Sequence, residues 1–286
     1  MLKNAFPDFR DVGRRHILRG PLFEKIAYLF LLFCLIFMAC QEPKPGCTDI
    51  RATNFDVTAA KTDNNTCIFP KLVFQVAYVV GDSSYIETSS YKNAVNQSFK
   101  IIRAATYLSD FQLFTNDGKA FKTIDSLTLY RQTDTINALN TFAMIGRNNG
   151  FEFQIGTFEA VGKTFSKCRF NVGLMPEINK TDATKMLTGP LSIRPDSMYN
   201  RATKSYIFNK IIVASGLNFK DTLNVEMTTL MPIELSKTLP TIEGADALIK
   251  LQINYLQLFN GVNFTENPST TRQKIMDNSN KIFSLK

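Results

Sequence analysis

Apolar and polar residues alternate along much of the chain after Lys71. Leu72, Phe74, Val76 and Tyr78 share one parity, as do Phe151, Phe153 and Ile155. The same holds for Cys168, Phe170, Val172 and Leu174, for Leu223, Val225 and Met227, and for Ile249, Leu251, Ile253 and Tyr255. A period of two puts such side chains on one face of a half-buried strand. Asn116-Asp117-Gly118 adds a turn signal between Phe111-Gln112-Leu113-Phe114 and Phe121, since Asn and Gly accept the backbone angles of tight hairpins. Several such strands without a sustained helical pattern predict an all-β fold, an antiparallel β-sandwich that is immunoglobulin-like or related. Helical spacing returns only in Thr271–Phe283, where Ile275, Met276, Ile282 and Phe283 predict a short C-terminal helix. From Leu174 to Tyr206 the chain is mostly polar and holds Pro176, Pro190 and Pro195. A loop of that length in a compact domain carries function or is disordered.

Ahead of the strands, Ile26 to Ala39 is apolar throughout, preceded by Lys25 and followed by Cys40. A membrane-spanning helix needs about 20 apolar residues, whereas a signal-peptide core needs roughly 7–15. Basic flank, short apolar core, small residue and cysteine make the layout of a bacterial lipoprotein signal, with Cys40 as the lipid acceptor. The expected organisation is a signal peptide over 1–39, a lipidated tether over 40–46, a small disulfide-closed loop over 47–69 and a β-sandwich over 70–286. An outer-membrane lipoprotein of the cell envelope follows, its body facing the periplasm or the surface.

The five cysteines then sort themselves. Cys34 leaves with the leader, Cys40 takes lipid, and Cys47 with Cys67 is expected to bond in an oxidising compartment. Cys168 shares its parity with Phe170 and Val172 and reads as a buried thiol. The segment Gly46 to Cys67 resembles a cysteine-bounded motif of surface and secreted bacterial proteins, matched at Cys47, Asp49, Ala52, Asn54, Phe55, Asp56, Asp63, Asn64 and Cys67. Asp49, Asp56 and Asp63 recur at intervals of seven. They are candidate calcium ligands, calcium preferring hard carboxylate oxygens; the alternative is that they form Asx turns in the loop.

Net charge is +8, but the Lys and Arg residues are dispersed, so no nucleic-acid footprint is expected. The one histidine, His16, lies in the leader, and there is no tryptophan. Gly81-Asp82-Ser83 invites comparison with a hydrolase nucleophile block, yet a serine nucleophile needs a base, typically His. A turn after the Leu72–Val80 strand is the better reading.

Phe99 to Phe121 (FKIIRAATYLSDFQLFTNDGKAF) resembles the hallmark of MbnP-like proteins: strand, Tyr-x-Ser, strand, Asp-Gly. Phe151 to Gly173 is similar to that family's paired strands, Ser197 to Phe208 to its Met-aromatic-Trp-x-Trp segment, and the last residues to its closing helix. The resemblance covers about Leu72 to Lys286. It implies a β-sandwich of the periplasm or cell surface. For some members it also implies copper held by histidines and by a tryptophan oxidised by a partner di-haem enzyme. This chain departs at those positions, with Asn200 and Ala202 where the tryptophans would stand and Glu226 and Asn267 where histidines would. The expectation is therefore a non-catalytic, lipid-anchored domain without a cofactor, binding an unknown protein or glycan. Met198, Tyr199, Asn200 and Arg201 are its candidate partner contacts. The alternatives are a metal-handling protein, using copper or calcium, and a hydrolase.

Overall fold

A computed structural model describes Lys25, Leu29, Phe30 and residues 43–146, 151–193 and 198–286. Cys40, nearly all of the expected leader, and Pro195 lie outside the described residues. In chain order the longer strands are β1 (Lys71–Val80), β2 (Ser98–Phe114), β3 (Ser126–Tyr130), β4 (Thr135–Leu139), β5 (Phe142–Gly146) and β6 (Glu152–Thr157). They continue as β7 (Thr164–Val172), β8 (Asn209–Ser215), β9 (Asp221–Met227), β10 (Met231–Pro240), β11 (Ala247–Asn254) and β12 (Phe283–Leu285). Their β-branched and aromatic residues suit a pleated, half-buried surface.

Two main sheets face each other. One runs β9-β8-β2-β7-β10, with β5 also on β2; the other runs β6-β1-β11-β12. The fold is the expected all-β sandwich, antiparallel except for β1 and β11, which run parallel from Leu72↔Ala247 to Val79↔Asn254. Between the sheets lies a core built on phenylalanine. Phe74 on β1 meets Phe111 on β2 (ring centroids 4.8 Å apart), which meets Phe170 on β7 (5.5 Å), which meets Phe283 on β12 (5.4 Å). Cys168 is fully buried in this core and is a free thiol.

The 17-residue β2 is the spine, and it is not regular. Its register slips opposite Ile212/Val213 on β8 and again opposite Arg169/Asn171 on β7, and Asp110 near the second slip has φ of 55°. Each bulge reverses which parity faces inward. Phe99 and Ile101 point to the main core, then Leu108, then Phe111 and Leu113. Between the bulges Ala105 and Tyr107 face the outside of the sandwich instead.

Along one edge β2 is first paired with β8 (Thr106↔Asn209) and then with β7 (Leu108↔Val172). The handover falls at Tyr107, whose N–H donates to the Phe208 carbonyl at 2.8 Å and whose carbonyl accepts from Gly173 N–H at 2.7 Å.

The C-terminal helix is α2 (Pro268–Asn278), after a single helical turn, α1 (Pro176–Asn179). Asn267 caps α2, its side chain accepting from Ser269 N–H at 2.8 Å, and Pro268 sits in the first turn, where its missing N–H costs nothing. The expected end at Phe283 is corrected. Asn278 turns its amide into the Leu258 and Asn260 carbonyls, the chain reverses, and Phe283 pairs with Ile253 as part of β12. Gly81, at φ 64°, opens the expected turn after β1, and Ser83–Ser84 folds back onto Val79–Val80.

Cys47 and Cys67 are bonded. Their module docks on the sandwich through Arg51, which reaches Glu159 at 3.5 Å and stacks over Phe69.

Candidate functional site

Ala105 and Tyr107, turned outward by the bulges, start a second core outside the sandwich. Phe142 on β5 joins them from the strand beside β2. The β3–β4 hairpin closes it from above: Leu127, Leu129, Ile136 and Ala138 alternate with polar residues and present one apolar face. From the side it is closed by the long segment after Leu174, which is neither a regular strand nor a solvent loop. Leu174, Ile178, Ala183, Leu191, Met198 and Tyr206 are all buried in it.

Polar contacts lace this layer together. Tyr206 OH donates to the Leu191 carbonyl at 2.6 Å and Tyr107 OH to the Pro190 carbonyl at 2.7 Å. The two rings meet edge to face at 5.7 Å. Burial raises the Tyr206 phenol above its ordinary value, so it stays a neutral donor. Asp182 N–H donates to the Tyr130 carbonyl at 2.8 Å, and Lys185 Nζ donates to the Arg131 carbonyl at 3.0 Å.

On this framework lie two broad grooves. One, of about 970 Å³, runs between Tyr130 on the hairpin and Met186–Leu191. The other, of about 850 Å³, is walled by Met186, Leu187 and Ile193 and rimmed by Tyr199, Arg201 and Lys204. Lys204 also lines a smaller depression with Lys180 and Thr203. Arg131 is neutralised by Asp134. Asp182 is held low by hydrogen bonds from Thr184. Lys180, Arg201 and Lys204 have no hydrogen bond or ion pair among the described residues and are exposed.

Of the candidate contacts, Tyr199 and Asn200 are half-buried and Arg201 is exposed at the groove rim. Met198 is corrected: at 0% exposure it is a core residue and cannot touch a partner. Lys180, Lys185, Leu187 and Lys204 escaped the sequence reading. The alternation Leu127, Leu129, then Ile136, Ala138 around Gln132-Thr133-Asp134 was the available signal for the hairpin that frames them.

The calcium candidates do not converge. Asp49 forks onto Arg51 (2.7 and 3.1 Å), Asp56 takes Lys44 (2.7 Å) and the Thr58 N–H and hydroxyl, and Asp63 caps Asn65 N–H at 3.1 Å. Each carboxylate closes a local turn, and the Lys44 ammonium with the Thr58 donors holds the Asp56 carboxyl down at about 2. Among the described residues no group of three or more His, Cys, Asp or Glu side chains could hold a metal.

A family model described as MbnP matches residues 70–277. The chain belongs to the MbnP family. Among solved structures it is similar to MbnP from Methylosinus trichosporium, at 13% identity, with 66% of this chain and 76% of that chain covered and a TM-score of 0.41. A search of the curated proteins gives no match.

Within this MbnP-family domain, the positions where the resemblance implied copper-binding residues do other work. The Asn200 side chain accepts from Ala202 and Thr203 N–H groups as a turn cap (3.0 and 3.3 Å). Glu226 is paired with Lys210 at 2.6 Å, which holds its carboxyl low, and Asn267 caps α2. Met175, Met186 and Met198 all pack in or against the second core, where hydrophobic neighbours use them. These residues do not fit a copper site of the implied kind.

Proposed function

We propose that this chain is a lipid-anchored, non-catalytic MbnP-family domain of the cell envelope that binds a partner through its outer layer. One observation carries the reading: exposed cations with no hydrogen bond or ion pair among the described residues and an exposed aliphatic wall meet on the irregular layer packed against the sandwich. Binding residues concentrate on such loop surfaces over a fixed scaffold, and Leu187, at 93% exposure, is a large apolar side chain with no structural use there. The Ile26–Ala39 run ahead of Cys40 supports lipidation, and the Cys47–Cys67 bond suits an oxidising compartment. A non-catalytic role is supported by the lone histidine lying ahead of Cys40.

The test is site-directed photo-crosslinking in intact cells, with the crosslinking residue placed in turn at Gln132, Leu187 and Lys250. The first two lie on the outer layer and Lys250 on the opposite sheet. A discrete adduct from positions 132 and 187 but not 250 is expected. No adduct, or the same adducts from all three positions, overturns the reading. Mass spectrometry of the membrane-extracted protein checks the anchor: the mature chain should begin at a lipid-modified Cys40 and lack Arg19 and Lys25.

A further inference from the structure

We propose that the groove walled by Met186, Leu187 and Ile193 takes an extended acidic peptide of a partner protein, an inference that rests on the binding role proposed above. The argument begins with charge. Arg201 and Lys204 stand at its rim, and Lys180 lines the depression that Lys204 shares. Among the described residues none of these cations forms a hydrogen bond or ion pair, and of the acids nearby Asp134 is paired while Asp182 keeps its charge, which Lys185 and Lys204 feel. Asp134 belongs to Arg131, and Asp182 accepts from Thr184 N–H at 3.0 Å and from its hydroxyl at 2.6 Å. The groove lining thus sets Lys185, Arg201 and Lys204 against Asp182, a net positive charge that suits carboxylates.

Apolar chemistry then decides the kind of anion. The wall facing the cations is aliphatic and partly or wholly exposed, so an occupant gains by covering it with apolar groups. An extended peptide offers both kinds of side chain in alternation, every second one on the same side at about 3.3 Å rise per residue. Carboxylates on one side reach the rim while apolar side chains on the other cover the wall. A sugar polymer fits less well. Sugar faces stack on open aromatic rings, and the ring here, Tyr199, is half-buried with its face tilted 64° against Tyr206 at 5.0 Å. The groove is also preformed: Ile193 N–H donates to the Ala183 carbonyl at 3.3 Å, and Tyr206 N–H to Asn179 Oδ1 at 3.0 Å. Little ordering is left to oppose binding.

The test uses the full chain and four fluorescent probes: a peptide alternating glutamate and leucine, its lysine–leucine counterpart, polyglutamate, and polygalacturonate. Saturable binding of the glutamate–leucine peptide is expected, weakening as salt rises. The double variant Arg201→Glu/Lys204→Glu should weaken it by about tenfold, two rim ion pairs being lost and reversed. Leu187→Ser should weaken it severalfold, and Lys250→Glu on the opposite sheet should leave it unchanged. All four positions are exposed, and unchanged circular dichroism shows that the variants fold. Equal affinity of wild type and the double variant overturns the proposal. So does polyglutamate or polygalacturonate binding as tightly as the mixed peptide, which would make the groove a general anion surface or a glycan site. Crosslinking at position 187 separates this inference from the one beneath it. A discrete cellular adduct without peptide binding sinks the acidic peptide and leaves the binding role standing; neither signal sinks both.

Discussion

Gly173 ends β7 where the β2 edge passes from one strand to the next, and no other residue fits there. Its φ is 115°, and a Cβ would strike the Phe208 ring and lie 3.0 Å from Leu230. Gly173→Ala combines backbone strain with overpacking and should cost about 3 kcal/mol, read as a lower urea midpoint. Cys168 sets a different kind of limit. Burial pushes its thiol from 9.0 up to about 12, so the native chain holds the neutral form while the unfolded chain can ionise. Its contribution is complete below pH 9.0 and is lost as pH climbs toward about 12. Tyr78, raised to about 12 by burial, acts in the same direction. Thermal unfolding followed from neutral to alkaline pH should show falling stability above about pH 9, with a shallower fall in Cys168→Ala. The thiol should also resist alkylation until the chain is denatured, because the thiolate is the reactive form.

At the scale of elements, the β3–β4 hairpin is the lid of the second core and Leu129 its fully buried anchor. Leu129→Ala should cost about 2–5 kcal/mol, with faster amide exchange confined to residues 126–139 and 174–206 while β1 and β11 stay protected. The period-two reading found β1, β9 and β11 because each keeps one parity toward one core, and β7 from Cys168 onward, past a bulge that leaves Phe165 in the core on the other parity. In β2 it was bound to fail across the middle, where bulges near Ile102 and Asp110 swap the faces within one strand. That swap founds the outer layer, so the feature that places the candidate site is the one that hides it from a parity count. The segment from Leu174 to Tyr206 was equally opaque. Its buried residues lie at no fixed spacing, since irregular backbone satisfied by Tyr107, Tyr206 and Asn179 side chains carries them. At the C terminus Ile282 and Phe283 kept helical spacing by coincidence; Asn278 and Ser279 spend their side chains closing the helix before them.

For the whole molecule, family membership does not bring with it the copper ligands that the resemblance implied. Cu(II) favours imidazole and Cu(I) thiolate or thioether sulfur, and the body offers no imidazole, a bonded cysteine pair and a buried thiol. Purified protein titrated with copper in both redox states and then dialysed should retain well under one equivalent. Retention of a full equivalent, lost in a Met175/Met186/Met198 triple variant, would instead show the second core acting as a thioether site. The small N-terminal module is a separate matter of stability. Its bond spans 20 residues in sequence and is worth roughly 3 kcal/mol of loop entropy. Reduction should expose residues 47–69 to proteolysis while the main thermal transition stays in place.

The position of β1 has a mechanical consequence. It is the first strand after the module, yet it sits inside its sheet, bonded to β6 on one edge and to β11 on the other. A pull on the N-terminal tether runs along β1 and loads both rows of hydrogen bonds in shear, so many must break together instead of peeling one by one. Meanwhile the outer layer, on the far side of the other sheet, bears none of that load. In a force-extension experiment pulling from residue 43, the Cys47–Cys67 bond should carry the force past the closed loop, and the sandwich should give way late and in one abrupt step.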